Sequence, residues 1–151
     1  MDSFVRSFIK SSLAWLAGGV TLGVAMAIWP KLVIYRPAHM HMNLLGFVTM
    51  MIMGVGYHLL PRLGGSPLKW KSLGAIHWWI ANIGLALMVA GFFLRPSYEL
   101  FGRSVLSVGA VLSATGALMF VVNIWMTLDA GAVRLAAMQQ RAKPLPTNSN
   151  S

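Results

Sequence analysis

The sequence contains no cysteine and only three acidic residues among its 151 positions. The absence of cysteine excludes disulfides, iron–sulfur clusters, thiolate metal ligands and the covalent attachment of c-type haem. The three carboxylates, Asp2, Glu99 and Asp129, lie at the ends of apolar runs or near the terminus. No buried carboxylate pair is therefore expected, which argues against hydrolytic acid–base chemistry and against proton pumping.

Charged residues of either sign are scarce, because they make up 10% of the chain while its mean hydropathy is +0.68. Charges separated by long apolar runs are typical of an integral membrane protein. The net charge of +9 comes from lysines and arginines in short loops and tails beside these runs. Anionic headgroups and topology rules explain that distribution better than nucleic acid does, so we expect a lipid partner and no nucleic-acid binding.

Four apolar runs predict an all-α fold, an integral membrane four-helix up-down bundle with short loops. The expected spans are about 13–29, 37–60, 73–94 and 105–128. They form a single domain over residues 1–141, and the polar residues 142–151 are predicted to be a disordered tail. In the fourth span one stripe of mostly small residues predicts a packing face: Gly109, Ser113, Gly116, Phe120 and Asn123.

The 12 basic residues divide unevenly between the two ends of the predicted bundle. Four of them lie at the end away from the termini: Lys31, Arg36, Arg95 and Arg103. The other basic residues lie at the opposite end, so the positive-inside rule predicts that both termini are cytoplasmic, in a bacterial inner membrane. His39 and His41 are then expected near the outer surface, and His58 and His77 near the inner surface.

The second span carries the two histidines with the strongest case for a cofactor site, because ionisable groups inside a membrane are costly. Successive helical residues rotate by about 100°, so His39 and His41 face nearly opposite ways. The stripe of His39 holds small, polar or soft residues: Asn43, Gly46, Met50, Met53 and Tyr57. The stripe of His41 is aliphatic: Leu44, Leu45, Val48, Ile52, Val55 and Leu59. We therefore expect His39 to face the bundle, and His41 to face lipid, headgroups or another protomer.

Gly46 and three arginines extend this candidate site. Gly46 lies about two turns below His39 and would leave a flat surface on which a planar macrocycle could rest. Arg36, Arg95 and Arg103 lie at the same end of the bundle, where guanidinium groups could pair with haem propionates. Spacing alone also allows a simpler interpretation, in which His39 and Arg36 are interfacial residues with their polar ends among headgroups.

The segment Arg36-Pro37-Ala38-His39 resembles the start of the second transmembrane helix in subunit I of haem-copper oxidases, in particular the C-family oxidases and the related nitric oxide reductases. The resemblance implies haem b as the cofactor, with His39 as an axial ligand near the outer face. His41-Met42-Asn43 resembles the HxN segment that follows the ligand in that family, and this alignment would make His41 the ligand instead. The stretch from His77 to Gly84 looks generally like the third helix of the family.

The resemblance covers only the first third of a twelve-helix subunit, whose other haem ligands and copper histidines come from later helices. It implies a small stand-alone relative that lacks the copper site and is not a complete oxidase by itself. The expected function is electron transfer or the binding of a diatomic gas (NO, O2 or CO), with a respiratory-chain redox partner. The sixth ligand is open between His41 of a second copy in a homo-oligomer, a thioether, and a free position for gas. The candidate thioethers are Met26, Met42 and Met88.

Three further interpretations concern the remaining metal-binding side chains. His58 and His77 lie at similar depth on neighbouring helices and could form a second haem or metal site, or they are interfacial histidines bonded to loop carbonyls. The 11 methionines could indicate copper handling, because thioethers bind Cu(I), although core packing explains them more economically. The main alternative to a haem protein is a non-haem accessory subunit that packs against a larger respiratory complex.

Overall fold

The structure is a computed structural model that describes residues 2–142. Within that range every regular element is a helix, and four helices are long and apolar enough to cross a membrane. The first crossing is α1, Ser3–Ile28, which a 3-10 segment follows at Pro30–Tyr35. The second crossing consists of α2 (Arg36–His41), a π-helical segment (Met42–Thr49) and α3 (Met50–Leu63). The third and fourth are α4, Lys71–Leu94, and α5, Glu99–Ala142. The prediction of an all-α four-helix membrane protein is confirmed.

Proline and glycine set several helix ends. Pro37 lies in the first turn of α2, where the N–H that proline lacks would have no helical partner. The helix α3 ends before Gly64 and Gly65, and Gly65 has a φ of 67°, a left-handed conformation that glycine adopts without steric cost. We call the end of the bundle where α2 begins the His39 end, and the end where α4 begins the His77 end.

The last helix is longer than predicted. The fourth span was expected to end near residue 128, but α5 continues through Asp129-Ala130-Gly131 to Ala142. Aspartate and glycine lower helix propensity without breaking a helix as proline does, so they do not end α5 here. Gly131 instead lies directly against the main-chain oxygen of Gly64 in the loop before α4. The predicted disordered tail lies outside the described residues, apart from Ala142.

Glycine allows α4 and α5 to pack with their backbones in contact. A methyl group added at Gly91 would lie 2.6 Å from the main-chain nitrogen of Leu106, and one added at Gly109 would lie 2.6 Å from the oxygen of Gly84. Such close approach favours helix association in lipid, where the hydrophobic effect between helices is weak. The predicted packing face of α5 is the face that contacts α4.

Burial divides the second crossing into the two faces that its sequence predicts. Four members of the His39 stripe are buried: Gly46, Met50, Met53 and Tyr57. Most of the other stripe is exposed: Leu44, Val48, Ile52, Val55 and Leu59. Leu45 departs from this pattern because it is half-buried and packs against the core.

Candidate functional site

His39 lies in α2 with its ring against α1. Its Nδ1 is 2.7 Å from the main-chain oxygen of Gly19, and the side chain is half-buried. A carbonyl oxygen only accepts hydrogen bonds, so Nδ1 must carry the proton and donate it, which leaves a lone pair on Nε2. Metal-ligating histidines commonly have this arrangement, in which a second hydrogen bond fixes the tautomer and orients the ring. The chemistry of His39 therefore fits an axial ligand of haem iron.

Three glycines of α1 form a surface that receives side chains from the start of the second crossing. A methyl group at Gly23 would lie 2.8 Å from Cε1 of His39, and one at Gly18 would lie 2.7 Å from Cε of Met42. Asn43 lies in the same way on Gly19, whose added methyl would be 2.6 Å from Oδ1. The candidate ligand thus sits between two helices, with a thioether close by.

Asn43 is hydrogen-bonded to the main chain of His39. Its Nδ2 donates to the main-chain oxygen of His39 at 2.9 Å and lies 3.3 and 3.4 Å from the two ring nitrogens. Because these last two distances are nearly equal and long, Asn43 makes no short bond that would be dedicated to Nε2. The lone pair of Nε2 is therefore not committed to a strong donor within the second crossing.

His41 points away from α1, as helical geometry predicts, but it does not simply face lipid. Its ring is half-buried and lies 5.0 Å, between centroids, from Phe92 of α4. Nδ1 lies 2.8 Å from the main-chain oxygen of Pro37, so this histidine also has a free Nε2. Phe92 of α4 covers one side of the ring, and for the rest of the half-buried side chain the expectation of lipid, headgroups or another protomer stays a prediction.

A surface cavity of about 290 Å³ adjoins this second histidine. It is lined by Ile34, Pro37, Phe92, Arg95, Pro96 and Glu99. Pro37 and Phe92, two of these lining residues, are also contacts of His41, so the cavity with Arg95 in its wall lies near that histidine. Of the three predicted propionate partners, Arg95 lines a cavity, whereas Arg36 and Arg103 are exposed side chains at the same end of the bundle.

The helix immediately after His41 is π-helical over Met42–Thr49, which sequence analysis missed. The hydroxyl of Thr49 donates to the main-chain oxygen of Leu44, five residues earlier, at 2.8 Å. A π turn contains one residue more than an α turn and is frequent at functional sites. It changes the rotation between His39 and the residues below, so angles that assume a regular α-helix do not hold across this segment.

Gly46 has a different role from the predicted one. A methyl group added there would lie 2.5 Å from Cβ of Trp15 and 3.0 Å from Cδ2 of Leu85. The side chain of Trp15 therefore covers the surface on which a macrocycle was expected to rest. Nε1 of Trp15 donates to Oδ1 of Asn82 at 3.1 Å, which fixes the indole in this position. Gly46 is a contact between helices.

His58 and His77, proposed above as a second site, have different partners. His58 is half-buried and accepts a hydrogen bond from Nη1 of Arg62 on its Nε2. His77 is fully buried, and its Nδ1 lies 3.0 Å from the hydroxyl of Tyr57. Among residues 2–142 no group of three His, Cys, Asp or Glu side chains could hold a metal ion. The contacts give no support to a site shared by these two histidines.

Tyr57 and His77 instead form the polar centre of an aromatic cluster that sequence reasoning did not find. Phe8 of α1 lies 4.8 Å and Phe120 of α5 lies 6.2 Å from the His77 ring, while Phe4 lies 5.3 Å from Tyr57. All four crossings thus contribute to one cluster. In the described part of the chain Nε2 of His77 is buried without a hydrogen-bond partner. The buried stripes of both residues were visible in the sequence, but their pairing was not.

A Tyr57→Phe substitution is expected to destabilise the protein by about 1–3 kcal/mol, because it leaves His77 with no partner for either ring nitrogen. In a His77→Leu background the same substitution should cost much less. Unfolding in detergent mixtures, followed by circular dichroism, measures both effects. Tyr98→Phe is the matched control, since Tyr98 is 65% exposed. Equal costs of Tyr57→Phe in the two backgrounds would show that the pair is not coupled.

Comparison with known proteins points to one family of membrane proteins. Residues 3–146 match the family described as cytochrome C and quinol oxidase polypeptide I. A stretch of 59 residues is 37% identical to the Cbb3-type cytochrome c oxidase subunit CcoN1 of Stutzerimonas stutzeri. That match covers 38% of this chain and 12% of the relative. The similarity thus concerns a small part of the relative's length.

Proposed function

We propose that this chain, which belongs to the family of cytochrome c and quinol oxidase polypeptide I, is a membrane-embedded b-type haem protein that transfers electrons, with His39 as an axial ligand. The observation that carries the proposal is the 2.7 Å hydrogen bond from His39 Nδ1 to the carbonyl of Gly19 on another helix. His39 is half-buried, and its Nε2 has only a long contact of 3.4 Å with Nδ2 of Asn43. A haem ligand requires such an oriented ring with an Nε2 lone pair that a metal can take.

Different residues of the chain would bind different parts of the cofactor. When bound, haem supplies one-electron redox chemistry. His39 would donate its Nε2 lone pair to the iron, and the carbonyl of Gly19 would strengthen that donation by accepting a hydrogen bond from Nδ1–H. Arg95, Arg36 and Arg103 carry positive charge at the same end of the bundle and would balance propionate carboxylates. Met42, which lies on Gly18, adds an apolar wall next to the ligand.

The second axial position is proposed to come from His41 of a second copy. In one chain His39 and His41 contact different helices, α1 and α4, so their rings cannot both reach one iron. A two-fold dimer would bring His41 of one copy to the iron held by His39 of the other, and closed two-fold assemblies are the commonest kind. Without such a dimer the iron keeps an open position, which favours binding of a diatomic gas.

The proposal does not extend to oxygen reduction. The matched stretch covers 12% of the oxidase subunit, so the activity of the complete relative is not carried over to this chain. Electron transfer requires a redox partner, which we propose is a component of a respiratory chain in the bacterial inner membrane. A location in the membrane follows from the four apolar helices.

The proposed function predicts a Soret band and reduced α and β bands in the detergent-purified protein, expressed with adequate haem supply. For a six-coordinate electron carrier, dithionite reduction should sharpen the α and β bands, and carbon monoxide should leave them unchanged. A shift with carbon monoxide would mean an open iron position and would favour gas binding over electron transfer. A protein without a Soret band would contradict the haem proposal and would support the accessory-subunit alternative.

A further inference from the structure

A second cavity lies at the His77 end, away from the proposed haem site. Its volume is about 400 Å³, and we call it the basic pocket. It is lined by Asp2, Tyr57, His58, Pro61, Arg62, Gly65, Ser66, Pro67, Leu68 and Lys71. These residues come from the start of α1, the end of α3, the start of α4 and the loop between the last two. Nothing in the proposed electron transfer uses them.

The charges of the basic pocket leave an excess of one positive charge. Lys71 pairs with Asp2 at 3.5 Å, and this is the one ion pair between side chains within residues 2–142. Arg62 donates to His58, whose Nε2 must be unprotonated to accept the bond. The guanidinium of Arg62 therefore contacts an imidazole nitrogen, and within residues 2–142 it is paired with no carboxylate. An anion in the pocket would meet Arg62 without displacing a carboxylate.

The N-terminus of α4 adds to this positive potential, whereas the carboxylate of Asp2 already lies at the N-terminus of α1. Asp2 is the N-cap of α1 and Lys71 is the first residue of α4, and both residues line the basic pocket. Neither N-cap side chain bonds to the first turn of its helix. The N–H groups and partial positive charge at a helix start attract anions. The start of α4 and Arg62 together favour a phosphate group in the pocket.

An apolar groove runs along α3 beside the basic pocket. It has a volume of about 390 Å³ and is lined by Met51, Ile52, Val55, Gly56, Leu59, Leu60 and Leu63. Leu59 and Leu63 directly follow His58 and Arg62 in the sequence, so groove and pocket lie on neighbouring faces of the same helix. A ligand that fits both must carry an anionic group and a long apolar chain. Phospholipids have this chemistry.

We propose that the basic pocket binds the phosphate of an anionic phospholipid through Arg62, with an acyl chain in the groove between Ile52 and Leu63. The level of the pocket in the membrane agrees with this. Trp70 lies next to Lys71 in the sequence, and the ammonium of Lys69 is 5.2 Å from the centre of the Trp70 ring. Tryptophan and lysine at a span end are typical of the headgroup region, where lipid phosphates are found.

Native mass spectrometry of the detergent-purified full chain with added phosphatidylglycerol tests this site. The native protein should retain one lipid per chain, and an Arg62→Gln variant should bind it about fivefold more weakly, since one basic residue contributes about 1 kcal/mol. Arg62→Lys should recover most of the binding. Arg134→Gln removes the same charge from an exposed position of α5 and should leave binding unchanged.

Three outcomes would overturn the proposal. Equal losses in Arg62→Gln and Arg134→Gln would mean that net charge alone attracts the lipid. Equal retention of phosphatidylcholine would mean that the headgroup charge is not recognised. Displacement of phosphatidylglycerol by millimolar inorganic phosphate would assign the pocket to a soluble phosphate compound. None of these results depends on haem, because the lipid adduct is detected by its mass in protein with or without the cofactor.

Discussion

A His39→Ala variant is expected to lose its haem during purification, with a haem-to-protein ratio at least about tenfold below that of the native chain. Loss of an outer hydrogen bond to a metal ligand already costs about 10–100-fold in affinity, and this substitution removes the ligand itself. His41→Ala should retain haem, because His39 and its hydrogen bond to the carbonyl of Gly19 still hold the iron. A pyridine haemochrome assay measures the ratio in both variants.

The same pair of variants distinguishes the alternatives for the second ligand. If His41 of a second copy completes the coordination, His41→Ala should keep its haem but react with carbon monoxide and elute as a monomer. Imidazole added to His39→Ala should restore the Soret band, which separates loss of the ligand from misfolding. Full haem content in His39→Ala together with loss in His41→Ala would assign the ligand to His41, as the HxN alignment implies.

The sequence was sufficient to predict the fold class and the buried face of the second crossing. Hydropathy locates the four helices because only long apolar segments satisfy both lipid contact and backbone hydrogen bonding. The prediction that the stripe from Gly46 to Tyr57 faces the bundle is confirmed by the burial of its residues. It succeeded because a helix that packs closely needs small or soft residues on its contact face. The position of a helix and the face that it buries depend on the residues of that helix alone, so both can be predicted from the sequence.

Contacts between helices were not predictable in the same way. The surface at Gly46 looks open in the sequence, and nothing there shows that Trp15, thirty-one positions earlier, fills it. The pairing of Tyr57 with His77 depends on the relative height of α3 and α4, which loop residues set only approximately. The π-helical segment Met42–Thr49 has no residue pattern that marks it in the sequence. The first two misses concern the relative placement of two helices, and the third concerns the backbone within one crossing.

A Gly109→Val substitution is expected to destabilise the bundle strongly, although glycine is a poorer helix former than most residues. Replacing glycine within a helix gains up to about 1 kcal/mol from propensity. At Gly109 the added Cβ would contact the main-chain nitrogen of Met88 and lie 2.6 Å from the oxygen of Gly84. Backbone atoms cannot turn aside as side chains do, so α4 and α5 must separate. Overpacking of this kind costs about 1–3 kcal/mol or more.

The measurement is the loss of helicity during titration with sodium dodecyl sulfate, compared between Gly109→Val and Ala114→Val. Ala114 lies on the exposed side of α5, so its substitution adds volume without a contact and should leave the midpoint nearly unchanged. The Gly109 variant should unfold at a clearly lower detergent fraction. Equal midpoints would mean that α4 and α5 do not pack through Gly84 and Gly109. Because α4 also carries His77 and Phe92, separation of the two helices should weaken the Tyr57 pair and the contact with His41 together.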